Sequence, residues 1–380
     1  MKANSYLIKN STIVQTLGDS TLNAGEAQLV LGFGGKSVMM NASVYEDLRA
    51  QFPKAHIALC STAGEIFGAD VLDDALSVTA MQFDKTEVRA ASLDIADQAS
   101  SYEAGATLVK LLPQDGLRYV LVLSDGGKVN GSELVRGIES VVNHTIPVTG
   151  GLAGDGANFQ STLVGLNAAP SSGIIIAIGL YGDAIQIGHG SMGGWEMFGL
   201  EKTVTKSKSN ELFEIDGKNA LELYKQYLGN YANELPGSAL LFPLSIKLSD
   251  ADEPIVRTIL SINNESNSMV FAGDLPEGSK VRFMKANFDK LIDAASVAAE
   301  SSLVGLVEKN PQVALLISCV GRKIILNRRV EEEVAAVREM LGTNTITTGF
   351  YSYGEISPMA DKVRCELHNQ TMTITTFNER

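Results

Sequence analysis

Phe350-Tyr-Ser-Tyr-Gly-Glu-Ile-Ser357, near the C-terminal end, echoes Cys60-Ser-Thr-Ala-Gly-Glu-Ile-Phe67 early in the chain. Each follows a strand-like run, His56–Leu59 in one case and Ile346–Gly349 in the other. Each passes through small hydroxyl residues into Gly-Glu-Ile. A glycine at a strand end allows a ligand to approach the backbone closely. The neighbouring glutamate suits a partner or a helix cap. The repeat predicts two related lobes with equivalent strand ends. It marks Ser61, Gly64 and Glu65 in one copy, and Tyr353, Gly354 and Glu355 in the other, as candidate ligand-binding residues. The same pattern also suits a duplicated structural turn.

Around these motifs the chain runs to 380 residues, 45% hydrophobic and 20% charged, enough for two domains with substantial cores. The net charge of −13 argues against nucleic acid, where Lys and Arg must neutralise phosphates. It argues equally against an anionic membrane surface. No apolar run reaches the length of a membrane-spanning helix, and the N-terminal residues lack the apolar core of a signal peptide. Three cysteines do not make a disulfide framework. A soluble, cytoplasmic protein is expected.

Strands and helices alternate in the first half. Arg118–Leu123 reads as a buried strand, followed through Ser124-Asp-Gly-Gly127 by a helix with Leu134, Ile138, Val141 and Val142 on one face. Close succession of Thr162–Asn167, Gly173–Tyr181 and Ala184–Gly188 requires antiparallel neighbours and disfavours a Rossmann fold. Trp195–Gly199 and the polar run Thr203–Asn210 mark a boundary or an excursion. Asp216 is placed as the N-cap of a helix over Gly217–Leu228. Phe288, Leu291, Ile292 and Ala295 have helical spacing. The expected class is α/β (α+β): two lobes with mixed sheets flanked by helices, divided as 25–212 and 213–377.

The glycine-dense loop Gly150-Gly-Leu-Ala-Gly-Asp-Gly156 adds Gly151, Gly154 and Asp155 to the candidate ligand site. Gly32–Lys36 and Ser124–Lys128 lack Walker or Rossmann spacing and read as structural turns. Cys60, at a strand end without a neighbouring base, reads as an inert buried thiol. As a nucleophile it would need a lowered pKa. Cys365 and His368 on one strand point to opposite faces, which disfavours joint metal binding. His368 is the first candidate for a metal or haem-iron ligand. His189 is the second: its flanking glycines leave room for a flat ligand that Trp195 would cover. No catalytic motif stands out, so no enzymatic activity is expected.

Cys60–Ile66, Gly150–Gly156, Glu214–Leu221, Phe271–Gly278 and Gly349–Ile356, in this order, resemble the FIST family across about residues 25–377. That resemblance implies a sensory ligand-binding module, N-terminal over 25–212 and C-terminal over 213–377. Stand-alone members of this length resemble the nitric-oxide-sensing haemoproteins of the NosP group. These bind haem b through a histidine and regulate a partner histidine kinase. Carried onto this chain, the axial role falls to His368 first and His189 second. The alternative is a sensor of a small metabolite, such as an amino acid, held between the lobes without haem. Either way the output passes to a separate signalling protein, and a homo-oligomer is compatible with both.

Overall fold

The computed structural model describes residues 1–19, 21–249, 253–359 and 363–380. Three pairs of parallel strands organise it: Leu29–Gly34 with His56–Ser61, Leu117–Ser124 with Val148–Leu152, and Val313–Cys319 with Ile346–Ser352. A parallel pair needs a crossover long enough for a helix, and each pair has one. Ser43–Gln51 serves the first unit, Gly131–Val142 the second, and Val330–Leu341 the third. Each pair is the centre of its own six-stranded mixed sheet.

The three sheets face one another as the sides of a prism. Their inward side chains form one core: Leu31, Phe33 and Cys60 from the first sheet, Tyr119, Leu121 and Ile178 from the second, and Leu315, Phe350 and Phe377 from the third. Phe33 stacks on Phe350 with ring centroids 4.8 Å apart, tying the first unit to the third. The outward faces are covered by helices, giving three further apolar layers.

The units are interlocked in a cycle. After its second parallel strand, each chain segment turns and adds a short strand to another unit's sheet. Glu65–Phe67 of the first unit pairs with Ile346–Ser352 of the third. Val164–Leu166, following the second unit, pairs with His56–Ser61 of the first. Gly354–Pro358 of the third pairs with Val148–Leu152 of the second. The two Gly-Glu-Ile motifs are therefore two of three turns. The third is Ala153-Gly154-Asp155.

The chain leaves the prism after Ile185–Met192 and returns with helix Phe288–Ser302. In between, an eight-stranded sheet beginning at Glu196–Lys208 and ending at Lys280–Lys285 packs around helix Ala220–Leu228, with a core of its own. This is the smaller lobe. The mixed sheets flanked by helices match the expected class, and the fold is not a Rossmann fold. The two lobes are not consecutive along the chain, since the prism takes strands from both ends of it. A division at 212/213 falls inside strand Glu211–Ile215. Asp216 is not the helix cap. Its carboxylate accepts the Thr203 amide at 2.8 Å, and Asn219 caps the helix instead by accepting from the Glu222 amide.

Candidate functional site

The three turns meet at one end of the prism, beyond the carboxyl ends of the parallel strands, which is where α/β sheets generally place ligands. They are stitched by backbone bonds. Gly154 N donates to Ser61 O at 2.9 Å, Gly156 N to Thr62 O at 3.1 Å, Ala63 N to Tyr351 O at 2.8 Å, and Tyr353 N to Leu152 O at 3.1 Å. The Ser61 hydroxyl donates to Gly154 O at 2.8 Å. The candidate ligand-binding residues of the Gly-Glu-Ile turns and the glycine-dense loop are thus gathered in one place.

Their roles divide. Glu65 and Glu355 are fully buried and occupy equivalent positions. Each accepts from a hydroxyl three residues earlier, Thr62 for Glu65 and Ser352 for Glu355. Each also accepts a distant backbone amide, Ala75 at 3.1 Å and Thr371 at 3.2 Å. Burial pushes Glu65 up to about 7 and Glu355 up to about 8, against these hydrogen bonds. Asp155 differs. Burial raises its pKa, but the Tyr353 hydroxyl, the Ser161 and Gln160 amides and the Lys36 ammonium outweigh that and hold it below the usual carboxylate range. Lys36 lies 3.6 Å from Asp155 and also bonds Ser161.

Two cavities flank this Lys36–Asp155–Tyr353 chain. One, of about 430 Å³, is bordered by Lys36, Thr62, Gly64, Glu65, Asp155 and Asn158 among others. The other, of about 360 Å³, lies between the prism and the smaller lobe. Gly126–Gly131, Phe159, Tyr353 and Leu367 wall it on one side, and Asn210, Leu260 and Phe271–Gly273 on the other. Phe159 stacks on Tyr353 at 4.5 Å while remaining half exposed at the rim. Across the lobe junction, Arg257 donates to Leu367 O at 2.9 Å and Asp274 N donates to the Ser132 hydroxyl at 3.2 Å. Ser61, Gly151, Gly154, Gly354 and Glu355 border neither cavity. At Gly151 an added Cβ would sit 2.8 Å from Ile317, so this glycine serves packing.

Lys36, Phe159 and the 126–131 loop were not singled out in the sequence as site residues. The available signal was a lysine within a few residues of the end of the first parallel strand in every unit, Lys36, Lys128 and Lys323. Lys36 reaches the turn of the second unit. Lys323 reaches the first, donating to Ala63 O at 2.9 Å. Lys128 shares a cavity with Tyr353 of the third. The amides of the 126–131 loop do not await an anion: Gly127 N and Lys128 N both donate at 2.7 Å to the chain's own Asp125.

The histidines do not fit haem. His368 is buried, its Nε2 lies 3.1 Å from the Ser357 carbonyl, and burial lowers its pKa to about 4. It borders none of the cavities described. His189 is partly buried, which lowers its pKa. The slot expected from its neighbouring glycines is filled by helix Phe288–Ser302. An added Cβ would lie 1.8 Å from Ser302 O at Gly188 and 2.1 Å from Ala298 O at Gly190. The Trp195 indole donates to Gln370 O at 2.9 Å. Among the described residues no three His, Cys, Asp or Glu side chains are grouped to hold a metal ion. Cys60 is buried and its thiol pKa is driven well up, as an inert thiol requires.

The fold is an α/β architecture built from three interlocked units and an inserted sheet lobe, with cavities at their junctions. The chain belongs to the FIST family: residues 28–218 match the FIST N domain and residues 220–358 the FIST C domain. FIST domains are sensor domains of signal transduction. An uncharacterized protein of Methanocaldococcus jannaschii is 24% identical over 320 residues, covering 77% of this chain and 60% of that protein, so the match spans about three fifths of the relative. A cyanuric acid hydrolase from A. caulinodans superimposes with a TM-score of 0.39 at 8% identity, covering 94% of this chain and 92% of the hydrolase. A second cyanuric acid hydrolase structure gives a TM-score of 0.32 at 11% identity, covering 95% and 93%. No helix among the described residues is long and apolar enough to cross a membrane.

Proposed function

We propose that this protein is a non-enzymatic FIST sensor of a small metabolite bound between prism and smaller lobe, without haem. The observation that carries the reading is the 360 Å³ cavity walled by both lobes, with Phe159 and Tyr353 at its rim. Its lining is half apolar, from Val129, Leu152, Leu260, Phe271 and Leu367. Asn130, Asn210 and glycine backbone provide neutral hydrogen-bonding groups, and Lys128 adds one ammonium. This suits a compact ligand with one planar or apolar portion and a hydrogen-bonding edge, an amino acid or similar metabolite being the right size. A ligand touching both lobes would bias their separation, and a separate signalling protein such as a sensor histidine kinase would read that bias.

Thermal-shift screening with amino acids and related metabolites tests the reading. A ligand at 100 times its dissociation constant stabilises by about 2.7 kcal/mol. A hit lost in Phe159→Ala supports the site, whereas a hit indifferent to Phe159→Ala places it elsewhere. An absorption spectrum after haemin addition is the companion experiment. A stoichiometric Soret band that shifts with nitric oxide and disappears in His368→Ala or His189→Ala would overturn the haem-free reading.

A further inference from the structure

Of the three lysines that follow the first parallel strands, two face a carboxylate of the protein. Lys36 lies 3.6 Å from Asp155, and Lys323 pairs with Asp73. Lys128 has the same offset from the end of Leu117–Ser124 as Lys323 has from the end of Val313–Cys319. Yet no salt bridge or hydrogen bond holds its ammonium among the described residues. The side chain is exposed. Among the described residues bordering the cavity between prism and smaller lobe, Lys128 is the one that carries a charge.

A second positive charge lies behind the wall. Arg257 is buried, and its guanidinium packs against Gly273, which borders the cavity: a Cβ added there would sit 2.8 Å from Arg257 Nε. Its hydrogen bonds go to the carbonyls of Val256, Leu367 and Asp274, none of them a carboxylate. Burial lowers its pKa to about 10, so it is still charged at neutral pH. The carboxylates adjoining the wall are committed elsewhere. Asp125 accepts the Gly127, Lys128 and Gly173 amides and the Ser172 hydroxyl. Asp274 takes Arg136 and Asn130, Glu366 pairs with Arg364, and Asp155 is held by Lys36 and the Tyr353 hydroxyl. In a chain of net charge −13, the cavity therefore has a locally positive field. A carboxylate entering it gains a charge-assisted bond to Lys128. An ammonium meets two like charges and no side-chain carboxylate, and burying an unpaired charge is costly. One exposed ammonium matches a single negative charge. Phe159, stacked on Tyr353 and 51% exposed, offers an open ring face for an aromatic portion.

Resting on the reading of this cavity as the ligand site, we infer that the ligand is an aromatic monocarboxylate without an ammonium group, its carboxylate on Lys128 and its ring on Phe159. Among metabolites of the right size, the cavity then selects acids over amino acids. Titration calorimetry with three probes that share one ring is the test. Phenylpropionate carries only the carboxylate, phenylalanine adds an ammonium, and phenethylamine has only the ammonium. Phenylpropionate should bind about tenfold or more tightly than phenylalanine, and phenethylamine should not bind. Lys128→Met should weaken phenylpropionate by about tenfold or more, Lys128→Arg should restore most of the affinity, and Phe159→Ala should weaken it as well. All three variants should unfold as cooperatively as the wild type. Phenylalanine or phenethylamine binding as tightly as phenylpropionate, and lost in Phe159→Ala, overturns the inference and leaves the cavity as the ligand site. Phenylpropionate binding that responds to Phe159→Ala but not to Lys128→Met does the same. Binding indifferent to both variants overturns the inference and the cavity reading together. If none of the three probes binds, the inference fails, and the metabolite screen with Phe159→Ala judges the cavity by itself.

Discussion

Removing one hydroxyl tests whether the three turns are held together as described. In Tyr353→Phe the ring stays stacked on Phe159, but the hydroxyl is lost. That oxygen donates to Asp155 Oδ1 and receives the amides of Asp155 and Phe159 at 3.1 Å each. The Asp155 side chain is 1% exposed, so water does not freely replace the lost donor. A hydrogen bond to a charged group contributes about 1.5–3 kcal/mol. Phe159 N is exposed and can turn to solvent, so the total expected loss is about 2–3 kcal/mol at pH 7. Urea unfolding should show a lower midpoint with an unchanged slope. The pH dependence gives a second check. Asp155 has a folded pKa below its unfolded value, so its contribution is fully present above the unfolded pKa and is lost as pH falls through the folded one. The wild-type and variant stabilities should therefore converge in acid. A loss under 0.5 kcal/mol at neutral pH, or an equal loss in acid, would refute the reasoning.

Three other perturbations have defined outcomes. Glu355 has its pKa raised to about 8, so its stabilising contribution is present below the unfolded carboxylate pKa and is lost as pH rises through about 8. Glu355→Gln should flatten urea-derived stability over that window, where the wild type loses about 1.4 kcal/mol per pH unit. Arg322 and Glu333 form a fully buried pair at 2.8 Å, and Arg322 also holds Gly193 O and Leu291 O. Arg322→Met should cost about 3–5 kcal/mol in denaturant melts, and adding Glu333→Leu should recover much of it, because a single unpaired buried charge is worse than none. Gly150 (φ +156°) and Gly349 (φ +151°) hold equivalent places in the second and third units. An added Cβ would lie 1.9 Å from Val122 O or 1.8 Å from Leu316 O. Alanine at either should cost at least about 1–3 kcal/mol, with Gly116→Ala, where space is open, the milder control.

Local periodicity made several elements legible. The Phe288, Leu291 and Ala295 spacing announced helix Phe288–Ser302, with Leu291 and Ala295 on its buried side. The Gly-Glu-Ile repeat located the junction of the turns. It undercounted them, because the middle copy has Asp for Glu, Gly for Ile, and a loop before its strand at Val164–Leu166. Equivalence is also hidden where units exchange large for small residues. Gly32 pairs with Leu59 in the first unit, whereas Val122 pairs with Gly150 and Leu316 with Gly349 in the others. One large and one small side chain are split the opposite way between the two strands. What surrounds His368 was not legible for a different reason. Strand alternation assigns a face but not what covers it, and here a carbonyl on the neighbouring strand takes the imidazole. Phe159, on a loop between turn and strand, had no pattern around it at all.

The cyclic exchange of strands means that the two family domains are sequence modules rather than separable bodies. A fragment ending at residue 218 would keep the first sheet, lose Gly354–Pro358 and Cys365–His368 from the second, and lose Val313–Cys319, Ile346–Ser352 and Met372–Glu379, which form the centre of the third. Val313, Leu315, Ile317, Phe350 and Phe377 would vanish from the common core. At about 1.5–3 kcal/mol for each buried side chain, that loss is of the order of 10 kcal/mol, comparable with the whole stability of an ordinary domain. Glu65–Phe67 would also be left as a strand without the sheet it joins. The fragment should therefore lack a cooperative urea transition and be cut rapidly by protease, while the smaller lobe over about residues 196–286, with its own core, retains protection within the full chain. A cooperative, protease-resistant 1–218 fragment would show that the interlocking contributes far less than the shared core implies.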